Sequence, residues 1–343
     1  MRVAMYYNNS DVRLEELAKP QIGDGEILIK IIASGICGSD VMEWYRIKKA
    51  PLVLGHEIGG DVVAVGKGVS GFKVGDRVTA THHVPCNNCE HCRRGKHSLC
   101  HSIHNTKYYP GGFCEYVRVP ALNLEKGGVL PLPDSVSYED GSFVEPLGCV
   151  VRGLRELDFK SARSLLVLGS GLSGQLVIRN AAALGAGKII ATDLNNYRLD
   201  FAKKSGAELT INALKEDVVG KTLEATNHEG VDYVVITAGA PILFEQAMKT
   251  VKDGGKVLLY GIMAPGTKIE FDIFPFWQKQ VTLLSTYAAA PIDLAEALEL
   301  IRAKRVRVDD LITHRLPLER TEEGFKLTAS ASDSMKVIIE PQK

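Results

Sequence analysis

Four cysteines crowd into one short stretch, at Cys86, Cys89, Cys92 and Cys100. Their spacing lets one small loop wrap a single ion, and Asn87, Asn88, Gly95 and Lys96 suit a solvated loop. Four thiolates closing tetrahedrally describe a structural zinc site with no open position. An iron–sulfur cluster would use similar ligands. Core thiols would not be set among Asn, Glu, His and Arg. The nearby His91, His97 and His101 read as surface residues, because four sulfurs complete the site.

A second set is spread along the chain. Cys37 lies in GICGSD, His56 and Glu57 in GHE, and Glu145 in FVEPLG. Three such protein ligands plus water are the pattern of a catalytic zinc. That ion would act as a Lewis acid, polarising a carbonyl or lowering the pKa of an alcohol. Spacing alone leaves other readings open: Cys37 as a buried thiol, His56 as a core histidine.

The third feature is GSGLSG, residues Gly169, Gly171, Leu172, Ser173 and Gly174 among them. It follows the apolar run LLVL and opens a helical pattern, the context that a dinucleotide fingerprint requires. The first glycine permits the turn, the second lets the backbone approach a pyrophosphate, and the third lets helix and strand pack closely. Asp193 ends the next strand-like run, KIIATD, where it would bond ribose hydroxyls and repel the extra phosphate of NADP. NAD rather than NADP is therefore expected. Arg198 follows and would stack on adenine.

These residues need elements to position them. The first half carries short β-like runs at 26–36, 58–66, 76–84 and 114–120, punctuated by glycine turns, which predicts a compact β-rich domain. Near residue 150 the rhythm changes. Strand-like runs at 164–171, 188–193, 208–212, 231–239, 255–262 and 281–286 alternate with helical patterns at 175–186, 197–207 and 242–251. That alternation predicts a parallel sheet of βαβ units. A helix over 293–305 and a strand over 335–340 close the chain.

Bulk properties exclude several classes. The 343 residues suffice for two domains, and 45% are hydrophobic. Lys and Arg number 41, as do Asp and Glu, so no charge surplus points to nucleic acid or an anionic membrane. The N-terminal segment lacks the apolar core of a secretory signal, and no run is long enough to span a membrane. With cysteines clustered as for metal, the cytoplasm is the expected compartment.

Together the motifs resemble the zinc-containing medium-chain dehydrogenases, closest to the sorbitol, threonine and polyol-type members. The strings that carry the resemblance are GICGSD (35–40), LGHEIGGDVVAVGKGV (54–69), VGDRV (74–78), PCNNCEHCRRGKHSLC (85–100), GGFCEYVRVP (111–120), VEPLGC (144–149), GSGLSG (169–174) and ITHRLPLE (312–319). The resemblance implies an α/β protein: a Rossmann doubly wound parallel sheet plus a GroES-like β-barrel catalytic domain. The expected division is 1–148 for the catalytic domain with both zinc sites, 149–286 for the Rossmann domain, and 287–343 for the return to the catalytic domain, with the active site in the cleft.

It also implies two zinc ions per chain. Cys37, His56 and Glu57 would bind the catalytic one, with Glu145 as an alternative ligand. Asp40 would orient His56, and Ser39 would bond the substrate oxygen and begin a proton relay. Tyr260, Gly261, Ile262, Thr286 and Tyr287 would lie near the cofactor with Ser173. His314 and Arg315 fall in a segment that would return toward the site. One departure stands out: Met42 occupies a position where many relatives carry a histidine that passes the proton on. The relay is expected to be rerouted, not lost.

The expected activity is hydride exchange between NAD and an alcohol or ketone, with a polyol or secondary alcohol favoured. A sugar-phosphate or L-threonine-type dehydrogenase is the alternative. A zinc-free quinone or enone reductase is disfavoured by the intact ligand set, and a silent NAD-binding scaffold by the intact glycines. Trp44 and Tyr45 would shape a substrate wall, and Arg46, Lys48 and Lys49 would face an acidic substrate if not merely solvated. Cys114 and Cys149 read as buried thiols, and His82 and His83 as non-catalytic. A homotetramer, or else a dimer, is expected through the run 268–286, with Phe274, Phe276 and Trp277 as interface anchors.

Overall fold

The computed structural model describes residues 1–343. The chain divides into two compact units, one of Met1–Cys149 with Ala288–Lys343, the other of Val150–Tyr287. The helix Val144–Glu156 contains the division.

The first unit is β-rich. Its larger sheet runs Ile312–Pro317, Lys336–Glu340, Ile27–Gly35, Glu57–Val65, Arg77–Ala80, Val129–Pro131, and Tyr116–Val119 pairs back onto Ile27–Gly35. An early strand and the chain's last strand therefore meet in one sheet, with Ile338 opposite Gly35. A smaller sheet joins Arg2–Asn8 to Asp11–Glu16 and Leu52–Val53. Alternate residues of these strands point inward, and Ile27, Ile29 and Ile31 are fully buried beside Val62, Val78 and Val117. Phe325 seals this core, its ring centroid 5.6 Å from Tyr6 and 5.7 Å from Phe113.

The second unit is a six-stranded, wholly parallel sheet. Its order is Leu209–Asn212, Ile189–Asp193, Leu165–Leu168, Val231–Ile236, Val251–Leu259, Thr282–Ser285. This is the doubly wound order in which the direction of winding reverses beside the first strand. The central strand Leu165–Leu168 is apolar and buried at every position, as burial on both faces requires. The edge strand Thr282–Ser285 is mostly exposed. No helix is long and apolar enough to cross a membrane.

Candidate active site and metal centres

The four-cysteine loop folds as a tight lobe. Its sulfurs lie within 4.8 Å of one another, with Cys89 Sγ 3.5 Å and Cys86 Sγ 4.0 Å from Cys92 Sγ. Backbone N–H groups point at the sulfurs: Asn88 and Cys89 donate to Cys86 at 3.4 and 3.3 Å, and Cys86 donates to Cys100 at 3.3 Å. Burial raises the Cys100 thiol, but the Cys86 N–H and the Ser102 groups outweigh it and bring it down to about 6. Burial and the Cys89 and Cys100 sulfurs push Cys92 up to about 12. Such crowding is what a cation relieves, so the donors fit zinc.

The second set is assembled by the sheet of the first unit. Cys37 follows Ile27–Gly35, and Glu57 opens the antiparallel neighbour Glu57–Val65, where it pairs with Gly35. Donor atoms of Cys37, His56 and Glu57 converge within 4.8 Å of one another. His56 Nδ1 faces Asp40 Oδ1 at 3.5 Å, which leaves Nε2 for the other two donors. Burial alone would depress His56, yet Asp40 and Cys37 hold it well above its ordinary value. Asp40 itself is fully buried and accepts the Cys37 N–H at 3.1 Å. Ser39 donates its N–H to Cys37 Sγ at 3.4 Å. Glu57 keeps one buried oxygen, Oε1, without a hydrogen-bond partner. An electron-rich pocket with an unpartnered carboxylate oxygen fits a divalent cation.

Glu145 stands with different neighbours. Its carboxylate groups with His82 and His83, again within 4.8 Å. Burial pushes it up to about 7, with His56 opposing and Glu57 adding to the rise. The thiol of Cys149 donates to it at 3.7 Å, one helical turn away. The His82 ring lies 4.8 Å from that of His56 and 3.7 Å from that of His83. Burial drives both downward, His83 to about 3.

The glycine loop follows the central strand of the second unit. Gly169 has φ +100°, a left-handed backbone that favours glycine. A Cβ on Gly174 would collide with the Gly169 carbonyl. The helix Leu172–Ala183 starts at Gly171 with no side-chain cap, leaving its first N–H groups for an anion. Asp193 accepts the N–H of Ser170 at 2.8 Å and of Asn195 at 2.9 Å, binding strand end to loop. The Arg198 guanidinium reaches over Gly171. Tyr260–Ile262 and Thr286–Tyr287 follow the carboxyl ends of the next strands, on the edge where such sheets bind ligands. Thr286 Oγ1 is buried and unpartnered there.

Residues 23–134 match the alcohol dehydrogenase GroES-like domain, and residues 174–303 match the zinc-binding dehydrogenase family. The chain is 31% identical to the sorbitol dehydrogenase of Bacillus subtilis, over 100% of its own length and 98% of the relative's. It is 35% identical to the L-threonine 3-dehydrogenase of Pyrococcus abyssi, over 95% and 94%. This chain belongs to the zinc-containing medium-chain alcohol dehydrogenases. It is accordingly an oxidoreductase acting on alcohols, with a GroES-like domain and a Rossmann domain. Among solved structures, a zinc-binding dehydrogenase of Sinorhizobium meliloti 1021 bound to NADP superimposes with a TM-score of 0.88, at 25% identity and 99% coverage of both chains.

Several of these side chains have partners that the sequence did not indicate. Arg46 does not reach outward toward a substrate; Nε donates to the Ser39 carbonyl at 2.9 Å and Nη2 to the Ser39 hydroxyl at 3.1 Å. The same Nη2 lies 3.5 Å from Asp40 Oδ1. Arg315 is held by Glu139 at 2.6 and 2.8 Å, and His314 Nδ1 faces Thr313 Oγ1 at 3.0 Å. Phe276 packs on the core of its own unit, while Phe274 and Trp277 are exposed. Lys336 was invisible as a site residue: fully buried, it pairs with Glu57. Its apolar neighbours in MKVIIE gave no sign of a charge partner so far away in sequence.

Proposed function

We propose that this dehydrogenase oxidises a polyol or secondary alcohol with NAD, using a catalytic zinc held by Cys37, His56 and Glu57. A second, structural zinc is held by Cys86, Cys89, Cys92 and Cys100. The convergence of Cys37, His56 and Glu57 carries this reading. Bound there, zinc supplies Lewis-acid polarisation of the substrate oxygen, and the nicotinamide supplies the hydride acceptor. Asp40 fixes the His56 ring through Nδ1, so that Nε2 points to the metal. Ser39 orients its hydroxyl toward the substrate oxygen, with Arg46 occupying one of its lone pairs. Glu145, buried and raised to about 7, is poised to take or give a proton near neutral pH.

NAD is favoured over NADP because the Asp193 carboxylate stands at the end of the second strand, where a ribose phosphate would be repelled. The two named relatives act on a polyol and at the 3-position of L-threonine, which is a secondary alcohol. That favours a secondary hydroxyl beside a polar substituent. The exposed aromatics Phe274 and Trp277, at 59% and 71%, adjoin the open strand Thr282–Ser285 and support a homo-oligomer, a tetramer or else a dimer. Cysteines clustered as metal ligands support the reducing cytoplasm as the compartment.

The test follows NADH absorbance against sorbitol and other polyols, simple secondary alcohols, L-threonine and sugar phosphates, with NAD and NADP in parallel. Turnover with NAD on a polyol or secondary alcohol is expected. Turnover confined to primary alcohols, or to NADP, would contradict the proposal.

A further inference from the structure

Lys336 and Glu57 form an ion pair in which both side chains are 0% exposed. The Lys336 ammonium donates to Glu57 Oε2 and, at 3.2 Å, to the Ile36 carbonyl. Its charge also lies 5.6 Å above the Phe143 ring. Space for it comes from Gly35, where a Cβ would stand 2.5 Å from Lys336 Cε and 2.7 Å from Nζ. The register that sets Ile338 opposite Gly35 and Glu57 opposite Gly35 brings the two charges together from distant parts of the chain. A lysine so enclosed is a built feature, since an unpaired ammonium would not be buried there.

The pair has a consequence for the carboxylate. Glu57 Oε2 is committed to Lys336, while Oε1 is buried without a partner. Resting on the assignment of Glu57 as a ligand of the catalytic metal, we propose that Lys336 is a positioning residue that competes with the metal for Glu57. It restricts Glu57 to one donor oxygen, weakens metal binding through its own positive charge, and neutralises the carboxylate when the metal is away. The catalytic ion is thereby held less tightly than the same three donors would hold it alone.

Cobalt(II) serves as the probe, added to metal-depleted full-length protein at alkaline pH and competed with a chelator. The thiolate-to-cobalt absorption that disappears in Cys37→Ser reports this site alone. Lys336→Met is expected to bind cobalt about tenfold more tightly at this site, from removal of one nearby positive charge. Lys336→Arg, which keeps charge and donors, should retain the wild-type affinity. The metal-free Lys336→Met protein should melt earlier than wild type and recover most of the difference when cobalt is added. Should that variant fail to fold, Lys336→Gln keeps a donor for Glu57 without the charge, and the same tightening is expected. Equal or weaker affinity in the folded neutral variant would overturn the competition, with the metal site itself intact. Absence of any Cys37-dependent cobalt band in the wild type would overturn both this inference and the metal assignment beneath it.

Discussion

Arg46 grips Ser39 twice, through its carbonyl at 2.9 Å and its hydroxyl at 3.1 Å. A guanidinium has no acceptor and stays charged, so it passes no proton onward. It holds one lone pair of the hydroxyl and makes Ser39 a better donor to the substrate oxygen. With Met42 unable to carry a proton, a relay through Ser39 does not leave by either side chain. Ser39→Ala is expected to lower kcat by ~10²–10⁴-fold, and Arg46→Met by ~10–100-fold through loss of a charge-assisted hydrogen bond. In steady-state kinetics the double variant should be no slower than Ser39→Ala alone. Fully additive losses would show that Arg46 acts independently of Ser39.

Asp193 joins the glycine loop to the second strand through the N–H groups of Ser170 and Asn195. Asp193→Ala removes the charge that opposes a ribose phosphate. The ratio of kcat/KM for NAD over NADP is expected to fall by ~10-fold or more. An unchanged ratio would remove Asp193 from cofactor selection.

Trp277 and Phe274 are exposed, with ring centroids 6.0 Å apart, beside an open sheet edge. Trp277→Glu places a charge where a second copy is expected to cover the patch. Light scattering should report a smaller assembly than wild type, with the thermal midpoint of the isolated subunit little changed. An assembly of the same mass would place the interface elsewhere.

Asp232 links three elements of the second unit. It accepts the N–H and hydroxyl of Ser164 at 2.8 and 2.7 Å and lies 2.5 Å from the Lys252 ammonium. Burial opposes its ionisation, yet Lys252 and Ser164 hold it below the usual aspartate value of 3.8. A carboxyl depressed by folding adds stability above its unfolded pKa and loses it as pH falls through the folded one. Asp232→Asn should cost about 1–3 kcal/mol at neutral pH. Thermal midpoints taken stepwise toward acid should show the wild-type advantage shrinking below pH 3.8. An advantage that persists or grows in acid would mean the carboxylate charge is not its source.

The cofactor loop was legible in the sequence because every part of it is local. GSGLSG, the strand before it and the helix after it are adjacent in the chain, with Gly169 in a left-handed backbone and Gly174 against the Gly169 carbonyl. The helix Val144–Glu156 was not legible, because it contains Pro146, Gly148 and Gly153, residue types that disfavour a helix interior. Proline is tolerated in a first turn, and Gly148 lies where a Cβ would press on Leu294 at 3.1 Å. The opening hairpin escaped because Arg2–Asn8 buries Val3, Ala4 and Tyr6 without clean alternation. Charged partners were the least legible. Arg46 looks like one more cation in a basic run, and Lys336 like a strand-end lysine. The fold of the turn after Ile27–Gly35 gives Arg46 its hydroxyl, and the packing of distant strands gives Lys336 its carboxylate.

The most direct test of the whole account is zinc content beside turnover, for wild type and Cys37→Ser purified without chelator. About two zinc ions per wild-type chain and about one in the variant are expected, from one catalytic and one structural site. The variant should still bind NADH but lose nearly all alcohol oxidation. A wild type with one zinc, or a Cys37→Ser protein that keeps both zinc ions and its turnover, would contradict the assignment of Cys37, His56 and Glu57 as the catalytic metal site.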